Sequence, residues 1–408
     1  LSAIQFIANR LVYTRSEEGK ISRPVIRISI AAIALSVIVM LLAVASGKGL
    51  QTEIRNKTAA FSGHITITNY DQNSSYEPIP IPSNESYVEQ LVKMDDVEYF
   101  QPFATKAGVL RTAESFDGVV LKGVDSTYNW TFFSDKLIRG HIPNLIEDSR
   151  AILISQYTAN RLEVDTGERV IMSFIQKPPA SPRNLPFKVV GIYNSGYEDF
   201  DKVYALGDIK HIRSLNKWDD HLIGGFEVFL KDYNQLENAV VDINKVISFN
   251  TIARTVEQNY AHIFDWLDLF DLNIAIVLMI MAVVSAVNMI TVLLIMILER
   301  TRMIGILKAL GASSGLIQRI FIRQALHLIL RGLVIGNAIG LGIMALQKYT
   351  GIIQLDEATY YVSEAPIQFL PLYIFGINLG TLLICWLIIL IPARIITKIK
   401  PARAIRFD

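Results

Sequence analysis

A single cysteine, Cys385, in 408 residues leaves no disulfide to close within the chain, so whatever folds here is held by its own apolar core. The usual chemical signatures are also missing. There is no GxxxxGK[ST] phosphate loop, no HExxH, no CxxC and no dinucleotide glycine fingerprint between a strand and a helix. The six histidines, at 64, 141, 211, 221, 262 and 327, are scattered, which argues against a metal centre built on them. Asp199 and Asp201 flank Phe200 as a conceivable carboxylate pair, but a solvated turn is the plainer reading. Net charge is nearly absent, with 39 basic and 38 acidic residues, so no global basic excess points to nucleic acid.

Apolar side chains are what the chain does have. It is 51% hydrophobic and 19% charged, with a mean hydropathy of +0.35. That is too apolar for a cytosolic enzyme and too polar for a chain that lies wholly in the bilayer, and it excludes disordered, collagenous and disulfide-stapled classes. Four windows run almost without charge: Ile28–Ala45, Ile274–Leu298, Leu333–Leu346 and Leu370–Ile391. A crossing takes roughly 20 apolar residues, which the first, second and fourth supply directly. The third must reach back past Arg331, whose side chain either snorkels to the headgroups or makes a polar contact inside a bundle. The first window follows 27 residues with no small-residue cleavage site, so it reads as an uncleaved anchor, with residues 3–14 an amphipathic helix on the membrane face.

The charges are unevenly distributed. Residues 1–27, 299–323 and 394–408 together hold 15 basic against 4 acidic residues, whereas 48–265 holds 22 basic against 29 acidic, and 347–368 has Lys348 against Asp356, Glu357 and Glu364. The bias of short basic flanks puts both termini and the loop after the second span in the cytoplasm, and the large polar segment outside.

The large segment reads as α+β. Strand-like runs fall at Gly63–Asn69, Ala107–Arg111, Val119–Gly123, Ala151–Ile154, Arg169–Ile175, Phe187–Tyr193 and Phe226–Leu230, with helical stretches at Glu85–Met94, Gln156–Leu162 and Tyr233–Ile247. Residues 71–84 and the four-proline stretch Gln176–Pro186 (QKPPASPRNLP) read as surface loops. Thr255–Asp271 carries apolar residues at helical spacing and leads into the second span, so the span is expected to continue outward as a stalk, with Gly49–Ala60 beyond the first span as its partner. Gly332, Gly336 and Gly340 recur at four-residue spacing and leave one helix face bare for close backbone approach. Glu299–Phe321 has a charged start, an apolar face at Ile304, Leu307 and Leu310, a break at Gly311, and Ser313 or Ser314 to cap the next helix. It reads as a short amphipathic helix on the cytoplasmic surface, suited to receiving force from a partner.

These residues carry a family resemblance. One span, a large external domain and three further spans resemble the FtsX/MacB-like permeases of ATP-driven ABC systems. Residues 300–312 (RTRMIGILKALGA) are similar to the family's coupling-helix motif, and residues 400–406 (KPARAIR) to its ending. Residues 6–10, 21–22, 49–55 and 63–67 resemble the N-terminal pattern of its lipoprotein-releasing members. Arg331, before Gly332, departs from the uncharged or acidic polar residue expected of the family there.

The resemblance implies an α-helical membrane protein with four transmembrane helices and a large α+β extracytoplasmic domain inserted between helices 1 and 2. The divisions are a cytoplasmic amphipathic helix (1–24), the first span (25–47), a periplasmic domain of two subdomains with stalk helices at both ends (48–265), the second span (266–298), a coupling helix (299–320), the third span (321–346), a short periplasmic loop (347–368), the fourth span (369–392) and a cytoplasmic tail (393–408). It further implies a permease subunit of a bacterial inner-membrane ABC complex that extracts lipoproteins from the outer leaflet by mechanotransmission and passes them to a periplasmic carrier. An efflux permease of the MacB type and a cell-division-type transmission protein acting on a cell-wall hydrolase are the alternatives.

The chain itself would not be an enzyme and would hold no cofactor. ATP and Mg would be bound by a partner ATPase dimer, and a second permease chain, identical or paralogous, would complete the membrane part. Lipoprotein substrate and membrane lipids are the other implied partners. On this likeness Glu299, Arg300, Arg302, Ile304, Gly305, Leu307, Lys308 and Gly311 would couple to the ATPase. Lys177, Pro178, Pro179 and Arg183 would dock the carrier, Tyr360 and Tyr361 would stand at the mouth of a lipid cavity, and Gly332, Gly336 and Gly340 would pack helices.

Overall fold

A computed structural model describes residues 22–72, 76–176 and 181–393. The expected amphipathic helix over 3–14, and the tail from 394 onward, lie outside the described residues. In chain order the elements are α1 (Ser22–Ser62), β1 (Ile65–Asn69), β2 (Ile81–Pro82), α2 (Ser86–Val92), β3 (Val97–Arg111), β4 (Phe116–Val124), α3 (Thr131–Asp135), β5 (Leu137–Gly140), β6 (Ala151–Ser155), α4 (Gln156–Leu162), β7 (Arg169–Phe174), β8 (Arg183–Tyr193), α5 (Glu198–Asp201), β9 (Tyr204–Asp208), α6 (Ile209–Asn216), β10 (Leu222–Ile223), β11 (Gly225–Leu230), α7 (Leu236–Val246), β12 (Thr251–Thr255), α8 (Val256–Asn259), α9 (Ala261–Glu299), α10 (Thr301–Ala309), α11 (Ser314–Thr350), α12 (Glu357–Tyr360) and α13 (Pro371–Ala393).

The apolar windows become four helices long and apolar enough to cross a membrane: Pro24–Ser62, Ala261–Glu299, Ser314–Thr350 and Pro371–Pro392. Three of them run to 37 residues or more, well beyond the roughly 20 a crossing needs. The third is continuous through Arg331, which is exposed on its surface. Residues up to Gln51, Leu267–Gln354 and from Glu364 onward form one compact unit. Its core draws on every long helix, with Ile33, Leu41, Leu293, Ile297, Phe321, Ile329, Cys385 and Ile389 among its members. Two polar side chains inside this apolar packing pair with each other. Asn337 and Asn378 exchange amide hydrogen bonds of 2.6 and 3.0 Å between α11 and α13, and each also donates to a carbonyl one turn back in its own helix.

Thr52–Trp266 with Leu355–Ser363 form the second unit, an α+β fold. Ten strands join in one sheet ordered β12-β1-β11-β3-β4-β9-β6-β8-β5, with β7 bridging β3 and β8; β2 and β10 form a small ribbon. Most pairs are antiparallel, while β4–β9 and β6–β8 are parallel. The alternation of β1 (ITITN) sends Ile65 and Ile67 into the core, where α2, α6 and α7 contribute Leu91, Ile212 and Ile243. Helix starts follow local chemistry: Ser155 caps α4 through Thr158 N, Asp208 caps α6 through Lys210 N, and Thr255 with Gln258 makes a capping box on α8.

Several expectations need correction. Rather than one stalk helix running from Thr255, β12 gives way to the single-turn α8, the helix breaks at Tyr260, and α9 begins at Ala261. Asp201 is buried rather than in a solvated turn, its carboxylate accepting from the Ser195 hydroxyl at 2.7 Å and from the Ser195 amide at 3.1 Å. The Gln176–Pro186 loop is shorter than its prolines imply. Residues 183–186 already belong to β8 and pair with β7, while pairing of β8 with β6 starts only at Lys188. Pro186 therefore sits where one side of the strand is free and its missing N–H is not needed.

Candidate functional site

The segment joining α9 to α11 has a defined shape. Leu310 closes α10, Gly311 adopts a left-handed φ of +89°, and the amides of Gly311 and Ala312 return to the carbonyls of Lys308 and Leu307. That is a Schellman ending, which a non-glycine residue would strain. Ser313 then caps α11 by accepting from Leu316 N. The two helices are thus joined by a short, hydrogen-bonded corner.

Within α10, Ile304 and Gly305 are buried, and Met303 and Leu307 pack partly against the helical core. Arg302, Ile306 and Leu310 line the outward face, and Leu310 is 79% exposed. The apolar face expected at Ile304, Leu307 and Leu310 is therefore split, with the first two inward and Leu310 outward. Of the residues named for coupling, Glu299 and Arg302 are exposed, Arg300 and Lys308 are half-buried, and Gly311 forms the corner. Ile304 and Gly305 seat the helix and offer no surface of their own. Ile306 was missed because an isoleucine in an amphipathic helix reads as inward-facing; its spacing of four from Arg302 is the signal that places both on one face.

The glycines of α11 lie against α1. A Cβ on Gly336 would come within 2.9 Å of the Ala34 carbonyl oxygen, one on Gly332 within 2.7 Å of Ile33, and one on Gly340 within 3.0 Å of Leu41. α1 and α11 approach along this stripe as closely as side-chain-free positions allow.

Tyr360 and Tyr361 part company. Tyr360 ends α12 and is 39% exposed. Tyr361 has a left-handed φ of +58° and sets its ring edge-on to Tyr197 at 4.8 Å and to Trp266 at 6.1 Å. Its carbonyl accepts from the buried Lys57 ammonium at 3.1 Å, and the same ammonium donates to Gly196 O at 2.9 Å. Burial and the neighbouring Asp199 raise the Tyr361 phenol pKa. Arg183 is exposed where β8 leaves the hairpin, opposite Phe174. Lys177, Pro178 and Pro179 lie outside the described residues.

A charged pair lies buried inside the sheet. Lys122 on β4 and Glu227 on β11 meet at 2.7 Å with side chains 2% and 4% exposed. Lys122 also donates to Phe61 O at 2.5 Å, and Glu227 accepts from Gln101 at 3.0 Å. Burial pulls the Lys122 pKa down and Glu227 opposes it. A charge inside each of two otherwise apolar strands, VVLKGV and GFEVFL, was the available signal. Among the described residues no three His, Cys, Asp or Glu side chains gather as a metal site.

Comparison with known proteins agrees with this architecture. Residues 28–266 match the MacB-like periplasmic core domain family and residues 275–401 the FtsX-like permease C-terminal family. The lipoprotein-releasing system transmembrane protein LolC of Xylella fastidiosa is similar at 23% identity over 394 residues, covering 93% of each chain. LolC of Neisseria meningitidis is similar at 22%, covering 93% of this chain and 94% of that one. The lipoprotein-releasing system transmembrane protein LolE of Haemophilus influenzae is similar at 21%, covering 96% and 97%.

Proposed function

The chain belongs to the family of permeases that join a MacB-like periplasmic core domain to an FtsX-like permease C-terminal region, and from that premise we propose that it is the membrane subunit of an ABC complex releasing lipoproteins from the bacterial inner membrane. The observation that carries this reading is the end-to-end similarity to lipoprotein-releasing system proteins, over more than nine-tenths of both chains.

In this reading the basic flanks hold both termini and α10 on the cytoplasmic side, and the α+β unit stands in the periplasm. A separate ATPase pair binds ATP and Mg and docks on the outward face of α10 at Arg302, Ile306 and Leu310. The Schellman corner at Gly311 passes its movement to α11, which is packed on α1 through the glycine stripe. α1 and α9 carry the stroke into the α+β unit, and lipoprotein is lifted from the outer leaflet to a soluble carrier. The carrier docks on the hairpin between β7 and β8, around residues 177–183. A second permease chain completes the cavity, with Tyr360 at its rim and Tyr361 fixing the loop behind it. The chain itself performs no bond chemistry; its part is to bind, hold and move.

The test is reconstitution in liposomes with the ATPase and a soluble carrier. ATP should transfer a lipidated protein from the bilayer to the carrier, and deleting residues 177–185 should remove carrier binding while leaving ATPase assembly intact. Release that is the same with and without ATP would overturn the reading. Drug export without lipoprotein release would move it to the efflux branch, which the MacB-like core match also accommodates.

A further inference from the structure

The large sheet has two unlike faces. One is sealed by α2, α6 and α7 over Ile65, Ile67 and Ala253. On the other, Arg254 of β12 stands opposite Thr66 of β1, and Thr66 stands opposite Glu227 of β11. Directly opposed residues of antiparallel strands share a face, so these three form one row, with Lys122 reaching Glu227 from β4. A polar sheet face commonly lies open to water. Here Tyr76, Tyr204 and Tyr260 wall it into a cleft of about 530 Å³, a volume in the range of sites that take a ligand.

Charge defines what the cleft accepts. Lys122 and Glu227 neutralise each other at its floor. Arg254 lines the cleft half-buried, and its guanidinium makes no ion pair with any described residue. One uncompensated cation therefore remains among aromatic walls, where reduced water access strengthens its pull on an anion. A phosphate site usually gathers several cations or a nest of backbone N–H groups. A lone guanidinium instead matches a carboxylate, which it can grip with two parallel hydrogen bonds. Thr68 and Asn259 add a hydroxyl and an amide that both donate and accept, and the tyrosines offer flat apolar surface. Those groups suit a peptide backbone and its side chains.

We propose that this cleft binds an extended peptide segment through a carboxylate held by Arg254. The carboxylate can come from an acidic side chain or from a chain terminus. The inference goes beyond lipoprotein release and does not depend on it, because binding is measured without ATPase, carrier or lipidated substrate. Failure of one therefore leaves the other standing.

The experiment uses the full chain in nanodiscs of zwitterionic lipid and three fluorescent octapeptides of Gly, Ser, Ala and Tyr, read by anisotropy. The first carries two Asp and an amidated end, the second has Asn in their place and a free C-terminal carboxylate, and the third has Asn and an amidated end. At least one of the first two should bind about tenfold or more tighter than the third, with the advantage shrinking as salt screens the charge. Their order identifies side chain or terminus as the source. Arg254→Gln should abolish the advantage, and Arg254→Glu should reverse it in favour of a lysine-bearing peptide. Equal binding of all three peptides, or an unchanged preference in either folded variant, would overturn the proposal.

Discussion

Two side chains in the α+β unit make its stability depend on pH in opposite ranges. The ring of His64 accepts a hydrogen bond at Nδ1 from the Leu230 amide at 2.8 Å and lies edge-on to Phe229 and Tyr233. Burial lowers its pKa below the ordinary 6.5, so the folded state resists a proton that the unfolded chain accepts. Stability should then be flat above about pH 6.5, the unfolded value, and fall as acid is added until the folded ring also titrates. His64→Gln should remove that part of the slope in thermal melts between pH 7.5 and 5; an unchanged slope would show that His64 does not supply it. Lys122, paired with Glu227, acts with the same sign but in the alkaline range. Removing one member of a buried pair costs about 3–5 kcal/mol, so Glu227→Gln should melt well below wild type at pH 7. With Glu227 gone the ammonium keeps its contacts with Phe61 but loses its carboxylate partner, the Lys122 pKa falls further, and in the alkaline range below 10.5 the unfolded chain binds more protons. The deficit should therefore shrink at pH 9.5, and a variant that melts like wild type at both pH values would contradict the pairing.

The glycine stripe on α11 gives a matched test within one helix. Gly336→Ala places a methyl 2.9 Å from a backbone oxygen of α1, and backbone cannot step aside as a side-chain tip can. Overpacking of this kind costs about 1–3 kcal/mol. Gly342 lies on the same helix with nothing within 4 Å of an added Cβ, so Gly342→Ala should be neutral or gain up to about 1 kcal/mol of helix propensity. Melting in detergent separates the two, and equal effects would mean the stripe carries no packing.

Those glycines were legible in the sequence because spacing alone reports a helix face. The long helices were legible because length and lack of charge suffice. What escaped was structure with no period to read. β9 (YALGD) is buried on both faces over most of its length, so it shows no alternation. The first half of β3 contains Pro102, which reads as a break, yet it pairs there with β11 alone, and pairing with β4 begins only at Phe103. A proline is tolerated on the unpaired side. The cleft was unreadable for a related reason: Arg254, Glu227 and Lys122 are more than a hundred residues apart at the extremes and meet only through strand order.

Two of the four points where the chain passes from one compact unit to the other lie inside helices. The first boundary falls between Gln51 and Thr52, inside α1, and the second between Trp266 and Leu267, inside α9. The remaining two fall in the loop between α11 and α13, where Gln354 and Glu364 form a bridge and Leu355–Ser363 joins the α+β unit through contacts such as Lys57 to Tyr361. A helix transmits a push or a twist along its axis because each turn is hydrogen-bonded to the next, whereas a Gly/Ser segment behaves as a random coil and transmits neither. If force generated at α10 reaches the α+β unit through the chain, α1 and α9 are its stiff routes. Inserting Gly-Ser-Gly-Ser after Gln51 and after Trp266 together should leave assembly with the ATPase and basal ATP hydrolysis in place while cutting ATP-driven release about tenfold or more. Either insertion alone should do less, since one route remains. The same four residues placed after Asp220, in an exposed turn before β10, should change nothing. Full release from the double insertion would mean that the α+β unit is not driven through these helices, and that the stroke acts within the helical unit alone.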